Sequence, residues 1–232
     1  MKTKVSIILA LAALLLGSKA EASLFNWKPF TTTYFFDDCG GFSSTGHNRY
    51  FMLEPGFKIV IEGKQGGHTV RSVLTVLNQT ETIDGVETRI VEDNETSDGV
   101  QTEVSRNHFA ICNKTNSVFY FGEDVDTYKN GAIVAHDGAW LAGQNGAQAG
   151  LEMPGIIMLG ARFNMEVAPG IAEDRSEIIS MTETVTTPAG TFENCLKVRE
   201  TSAIEKGFFY KYYAPGIGLV KDGPLVLKEF TK

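Results

Sequence analysis

Long apolar runs are missing from this chain of 232 residues, which removes the polytopic membrane class. The longest, Val5 to Leu16, is a 12-residue stretch broken only by Ser6. A membrane-spanning helix needs about 20. Cysteine is scarce, three residues without a C-x-x-C pair, so neither a structural zinc site nor a thioredoxin-type site is supported. Histidine is limited to His47, His68, His108 and His136, none of them in an H-E-x-x-H pattern. There is no G-x-S-x-G elbow, no P-loop and no G-x-G-x-x-G. Proline is limited to 7 residues, and no Pro- or Ser-rich linker divides the chain. Basic charge is also in deficit, with 21 Lys+Arg against 28 Asp+Glu and a net charge of −7. That balance argues against nucleic-acid partners.

The first 22 residues read as an export signal rather than as structure. Lys2 and Lys4 precede the apolar stretch, and Ala20-Glu21-Ala22 forms an A-x-A cleavage site. Loss of Lys2, Lys4, Lys19 and Glu21 with this segment leaves 18 basic and 27 acidic residues, a net of −9. The expectation is a soluble periplasmic or extracellular protein with no transmembrane segment in the mature chain. An oxidising compartment permits one disulfide among Cys39, Cys112 and Cys195. Cys195 lies in the alternating run Thr191 to Arg199 and reads as a buried strand residue, leaving Cys39 and Cys112 as the candidate pair.

Residues 23–49 form an N-terminal extension without clear periodicity, and residues 50–232 form a β-rich domain. Runs such as Phe57–Glu62, Thr69–Leu77 and Glu87–Glu92 are rich in β-branched residues. Asp84-Gly85, Asp98-Gly99, Asn130-Gly131 and Asp137-Gly138 supply tight-turn signals between such runs. Short connections imply antiparallel pairing. The pattern predicts an all-β single domain of about a dozen antiparallel strands in a curved sheet, a sandwich or a partly open barrel. Trp140 to Gly160, with five glycines, predicts a long loop.

Three constellations carry candidate chemistry. Glu123, Asp124 and Asp126 follow the aromatic run Phe119-Tyr120-Phe121 and offer oxygen ligands of the kind Ca²⁺ takes, although the spacing is not that of an EF-hand. Trp140 with Glu173 and Asp174 are candidate ligand-binding residues; a solvated acidic turn beside Arg175 is the plainer alternative. His136-Asp137 pairs an imidazole with a carboxylate, but adjacent strand residues point to opposite faces. The aromatic run Phe208 to Tyr213 fits core packing or a concave apolar face.

Several segments resemble, in order, motifs of a family of exported bacterial β-rich proteins of unknown function. Asn48 to Gly56 is similar to N-P-Y-F-P-L-x-P-G, and Val118 to Val125 to V-W-Y-F-G-E-D-T. Gly138 to Ala147 is similar to S-W-x-A-G-x-D-G-A, and Lys211 to Val220 to K-Y-Y-A-P-G-x-G-L-V. The resemblance spans about residues 48–221 and implies an exported, β-rich single domain, with no activity or catalytic residue to carry over. It departs at Arg49 and across His108 to Cys112. The resulting expectation is a non-catalytic envelope or extracellular protein that binds a ligand, metal ion or partner. The alternatives are an apolar-ligand carrier with a concave sheet, and a hydrolase or isomerase using Asp/Glu or His.

Overall fold

The computed structural model describes residues 36–231, so the signal segment 1–22 and the start of the extension lie outside the described residues. A 3-10 turn, Phe36–Cys39, leads into β1 (Phe42–Ser43), β2 (His47–Asn48), β3 (Phe51–Met52), β4 (Lys58–Gln65), β5 (His68–Ile83), β6 (Val86–Ser97), β7 (Val100–Cys112) and β8 (Val118–Lys129). There follow β9 (Ala132–Ala135), β10 (Trp140–Leu141), β11 (Gln148–Met153), β12 (Arg162–Asn164), β13 (Glu166–Val167), β14 (Asp174–Thr187), β15 (Gly190–Ser202), β16 (Phe209–Ala214), β17 (Gly218–Asp222) and β18 (Leu225–Thr231). No α-helix occurs among the described residues, and none is long and apolar enough to cross a membrane.

The expected tight turns form as the sequence predicts at three places. Asp84-Gly85, Asp98-Gly99 and Asn130-Gly131 all have positive φ at both positions, the conformation of a type I′ hairpin turn. Each two-residue turn pairs its flanking residues directly: Ile83 with Val86, Ser97 with Val100, Lys129 with Ala132. At Asp137-Gly138 only the glycine has positive φ, and no such hairpin forms. The strands are longer than their most apolar segments, reaching 16 residues in β5, where the exposed polar stretch Asn78 to Thr82 continues the strand to the turn after Ile83.

The strands run in the order β12-β14-β15-β16-β17-β18-β4-β5-β6-β7-β8-β11-β13, all neighbours antiparallel. The two ends of this order are adjacent in sequence. Residues 162–164 pair with β14, and after Met165 residues 166–167 pair with β11. One short segment therefore bridges both ends of the sheet and draws it into a nearly closed barrel. That bridge requires close backbone contact: a Cβ on Gly150 would lie 2.1 Å from the Met165 carbonyl oxygen. The Gly-rich stretch 140–160 is thus a loop interrupted by β10 and β11, with glycine serving the closure.

Residues 39–57 pack into the same core as the barrel. β1 pairs with the end of β7, and the Phe42 ring meets Phe119 and Phe121 edge-on at 5.7 and 5.5 Å. Leu53 and Tyr50 are buried, and Phe51 packs on Phe109. The Cys39–Cys112 disulfide fixes this segment to β7, and Cys195 is free and buried. The bridge closes a loop with a sequence separation of 73. Loop-closure entropy assigns it about 4 kcal/mol. Replacing both cysteines, Cys39→Ala with Cys112→Ala, should lower unfolding free energy by about 2–5 kcal/mol in urea titrations. An unchanged midpoint would show that the segment is held without the bridge.

Candidate functional site

Strand alternation sorts the side chains into an outward and an inward set. The outward rows carry charges that are paired across strands. Arg71 meets Glu62 and Glu229, both at 3.4 Å; Arg106 meets Glu92 at 3.3 Å and Asp126 at 3.0 Å. Glu177 receives Arg162 at 3.0 Å and also Arg199.

The inward rows are different. Register aligns Val76, Val91, Asn107, Glu123 and Trp140 across successive strands. Next to them run Ile59, Leu74, Asp93 and Ser105, then Ile61, Ser72, Glu95 and Glu103. On the facing wall Ser176, Glu200 and Phe209 align, beside Val198, Lys211 and Asp222. Between the walls lies a cavity of about 660 Å³. One sector is apolar, with Phe51, Phe57, Ile59, Val76, Phe109 and Ile217. The other is acidic. Asp93, Glu95, Glu103 and Glu123 come from β6 to β8, and Glu152, Glu166, Asp174, Glu200 and Asp222 from the facing wall. Against these nine carboxylates the lining holds one basic residue, Lys211.

Burial without compensation favours the protonated form of six of these carboxyl groups, Asp93, Glu103, Glu123, Glu152, Glu166 and Glu200. Desolvation raises Glu166 to about 9, helped by Asp174 and opposed by the Asp174 N–H, which donates to Glu166 Oε1 at 2.6 Å. Desolvation likewise raises Glu123 to about 7, against a hydrogen bond from Ser105. Glu152 is raised to about 7 and Asp93 to about 6, again chiefly by desolvation. Glu103 is raised by burial and by Glu95. Lys211 Nζ sits 2.9 Å from Glu200 Oε2. Burial works against this ammonium, but Glu200, Tyr213, Asp222 and Glu152 outweigh it and hold its pKa well above the ordinary lysine value. Glu200, almost wholly buried, is pushed up by desolvation despite Lys211.

Two buried polar atoms of the lining lack a hydrogen-bond partner: Trp140 Nε1, a donor, and Glu200 Oε1. Unpaired buried polar atoms are rare in folded proteins, and a ligand is one way of satisfying them. The nearest aromatic neighbour of Trp140 is Tyr120, edge-on at 5.2 Å. Tyr120 itself donates to Asn107 Oδ1 at 2.6 Å.

The residues singled out in the sequence are distributed unevenly about this cavity. Trp140, Glu123 and Asp174 line it. Glu173 does not; its Oε1 accepts the Gly170 N–H at 3.0 Å. The proposed calcium trio does not converge as a set, because Glu123 faces inward while Asp124 and Asp126 face outward beside Arg106 and His108. Alternation alone puts Glu123 on the opposite face from Asp124 and Asp126, and a β-bulge decides which of them faces inward. Phe109 pairs with Tyr120 but His108 pairs with Gly122, so the alternation reverses phase before Glu123. Gly122 has φ of +155°, and a Cβ there would meet the Trp140 carbonyl oxygen at 2.7 Å. Asp126 accepts from Arg106 and lies 3.0 Å from His136 Nδ1, so His136 pairs with Asp126. Asp124 instead joins buried His108, with Nε2 at 3.2 Å, and Glu81; their potential ligand atoms lie within 4.8 Å of one another on the outer face.

Sequence reasoning missed Asp93, Glu152, Glu166, Glu200 and Lys211 as site residues. For Asp93 a signal existed: it continues the alternation of Val91 on one face. For Glu166 and Glu152 the side facing the cavity depends on the closure of the barrel.

A family model described as DUF3108-like matches residues 142–223, which include Glu152, Glu166, Asp174, Glu200, Lys211 and Asp222 of the facing wall. No curated protein matches the chain. Among solved structures, a candidate lipoprotein from Parabacteroides distasonis is 18% identical, with a TM-score of 0.40, over 81% of this chain and 100% of its own.

The raised carboxyl groups set the sign of the pH dependence. Between their ordinary values near 4 and their folded values of about 6 to 9, the folded chain binds more protons than the unfolded chain. Stability of the ligand-free protein therefore falls as pH rises through that window. Urea midpoints should decrease from pH 5 to pH 9. Glu166→Gln keeps the Oε1 acceptor and should raise the midpoint at pH 8 while changing it little at pH 5. Midpoints that are flat or rising in wild type would contradict the burial of these groups.

Proposed function

We propose that this chain is an exported, non-catalytic binding protein that takes a small amphipathic molecule into its barrel. The observation that carries the reading is the cavity of about 660 Å³ with Trp140 Nε1 and Glu200 Oε1 unpartnered in its wall. Its size falls within the usual range of small-molecule sites, and its two sectors suit a ligand with an apolar body and a polar end. The purely apolar carrier is the weaker version, because an alkyl chain would leave the buried carboxyl groups and both orphan atoms unsatisfied. None of the four histidines lines the cavity, which takes the histidine-based hydrolase or isomerase out of this site.

Export is supported by the signal-like first 22 residues and by the Cys39–Cys112 bridge, which an oxidising compartment sustains. The outward ion pairs at Arg71 and Arg106 stand where a membrane-spanning barrel would carry an apolar band. Calcium at Glu123, Asp124 and Asp126 forms no part of this reading, since strand alternation divides them between two faces.

The neutral dye N-phenyl-1-naphthylamine tests whether the chamber accepts ligands. Wild-type protein should bind it with enhanced, blue-shifted emission. Leu74 lines the cavity, and Leu74→Trp should intrude on its apolar sector, weakening binding at least threefold while leaving the unfolding free energy within about 1 kcal/mol of wild type. No uptake by wild type, or equal uptake by the Leu74→Trp variant, would sink the reading.

A further inference from the structure

We infer that the molecule held in the barrel is an organic cation, an amine whose ammonium group meets the carboxylates and whose apolar body lies along the opposite sector. This rests on the cavity being a binding chamber, and it adds the ligand's charge and chemical class. Four observations bear on it.

First, the charge of the lining is one-sided. Asp93, Glu95, Glu103 and Glu123 face Glu152, Glu166, Asp174, Glu200 and Asp222 across the cavity, with Lys211 the only base among them. Tyr120 and Tyr213 complete the titratable groups of the walls, and both are pushed up by burial. An anionic ligand would add to this repulsion. A neutral one would leave it unrelieved.

Second, one buried acceptor is left without a partner. Glu200 is 2% exposed; its Oε2 is taken by Lys211 Nζ, and its Oε1 has no partner. The Lys211 ammonium shows what this environment accommodates, lying 2.9 Å from the carboxylate and 5.5 Å from the centroid of the Phe209 ring. A second ammonium on Oε1 would complete the carboxylate with a charge-assisted hydrogen bond.

Third, the carboxylates are dispersed. Among the described residues, the group of three or more metal-ligating side chains within 4.8 Å of one another is Glu81, His108 and Asp124, outside the cavity. The cavity groups do not gather into one coordination sphere. They surround a volume many times that of a bare ion.

Fourth, the rest of the chamber suits an organic body. Phe109 and Tyr120 stack with centroids 4.8 Å apart beside Trp140, offering aromatic surface to an alkyl chain or to a second cationic group. Trp140 Nε1 remains as a donor for an acceptor atom on the ligand.

The carboxyl groups give this binding a proton balance. At neutral pH the empty cavity keeps protons on Glu166 and on part of Glu123 and Glu152. An entering ammonium favours their ionised forms, so protons leave as the cation binds. Affinity for the cation therefore rises with pH across about 6 to 9.

Three probes with the same ten-carbon chain separate the cases: decylammonium, decanol and decanoate, titrated calorimetrically into full-length mature protein below their aggregation concentrations. Decylammonium should bind at least tenfold more tightly than either of the others at pH 7.5. Its apparent enthalpy should differ between phosphate and HEPES buffers in the direction of proton release. Glu152→Gln should weaken decylammonium about tenfold, with decanol unchanged and fewer protons released. Equal binding of all three, or preference for decanol or decanoate, overturns the inference and leaves the binding chamber standing. Absence of any binding by wild type overturns both. Should Glu152→Gln fail to fold, the wild-type ranking and the proton count still decide the matter.

Discussion

The structure depends on one constraint: carboxyl groups enclosed in a barrel without enough positive charge to match them. Outside, Arg71, Arg106, Arg162 and Arg199 each meet carboxylates across neighbouring strands, in contact with water. Such pairs contribute little to stability and require little. Inside, nine carboxylates share one lysine. Buried charge is expensive unless it is paired, and the available response is protonation. The empty chamber is thus a compromise in which several acids are neutral at a pH where they would be ionised in water. A fold that served only as a scaffold would gain by placing apolar residues there. The acids kept inside the barrel are what the proposed binding role turns on.

The covalent and backbone architecture holds that interior open. Two-residue turns set the register of β5 to β7, the connection 113–117 brings β8 alongside, and register determines that Glu123, Asn107, Val91 and Val76 lie in one row. The bridge through residues 162–167 brings the facing wall round. At one end Cys39–Cys112 anchors the segment carrying Leu53 and Phe51, which supplies apolar lining. The chamber is therefore shaped by long-range pairing, while its chemistry is set residue by residue through alternation.

The fold was largely legible in the sequence because its signals are local. Asp-Gly and Asn-Gly turns and β-branched alternation declare hairpins within about 20 residues, and the Cys39 and Cys112 pairing followed from elimination of Cys195. Trp140, Glu123 and Asp174 were legible as individuals. What joins them was not. Alternation divides a strand into two faces but does not say which face is enclosed, and a bulge at Phe121-Gly122 reverses the answer midway along β8. Read without that bulge, Asp124 and Asp126 share a face with Tyr120 and would point inward; the calcium trio rested on carboxylates clustered in sequence, which alternation divides between the two faces. Glu152, Glu166 and Glu200 come from strands up to about 50 residues apart, and only barrel closure places them opposite Asp93 and Glu103.

The central claim is that the barrel encloses an acidic binding chamber and not a filled core. A high-resolution crystal structure of mature protein purified from an exporting host tests it most directly. The account predicts non-protein density within hydrogen-bonding distance of both Trp140 Nε1 and Glu200 Oε1, with the carboxylates of β6 to β8 still facing those of the opposite wall. Walls collapsed onto one another, with Trp140 and Glu200 partnered by protein atoms and the carboxylates turned out to solvent, would contradict it.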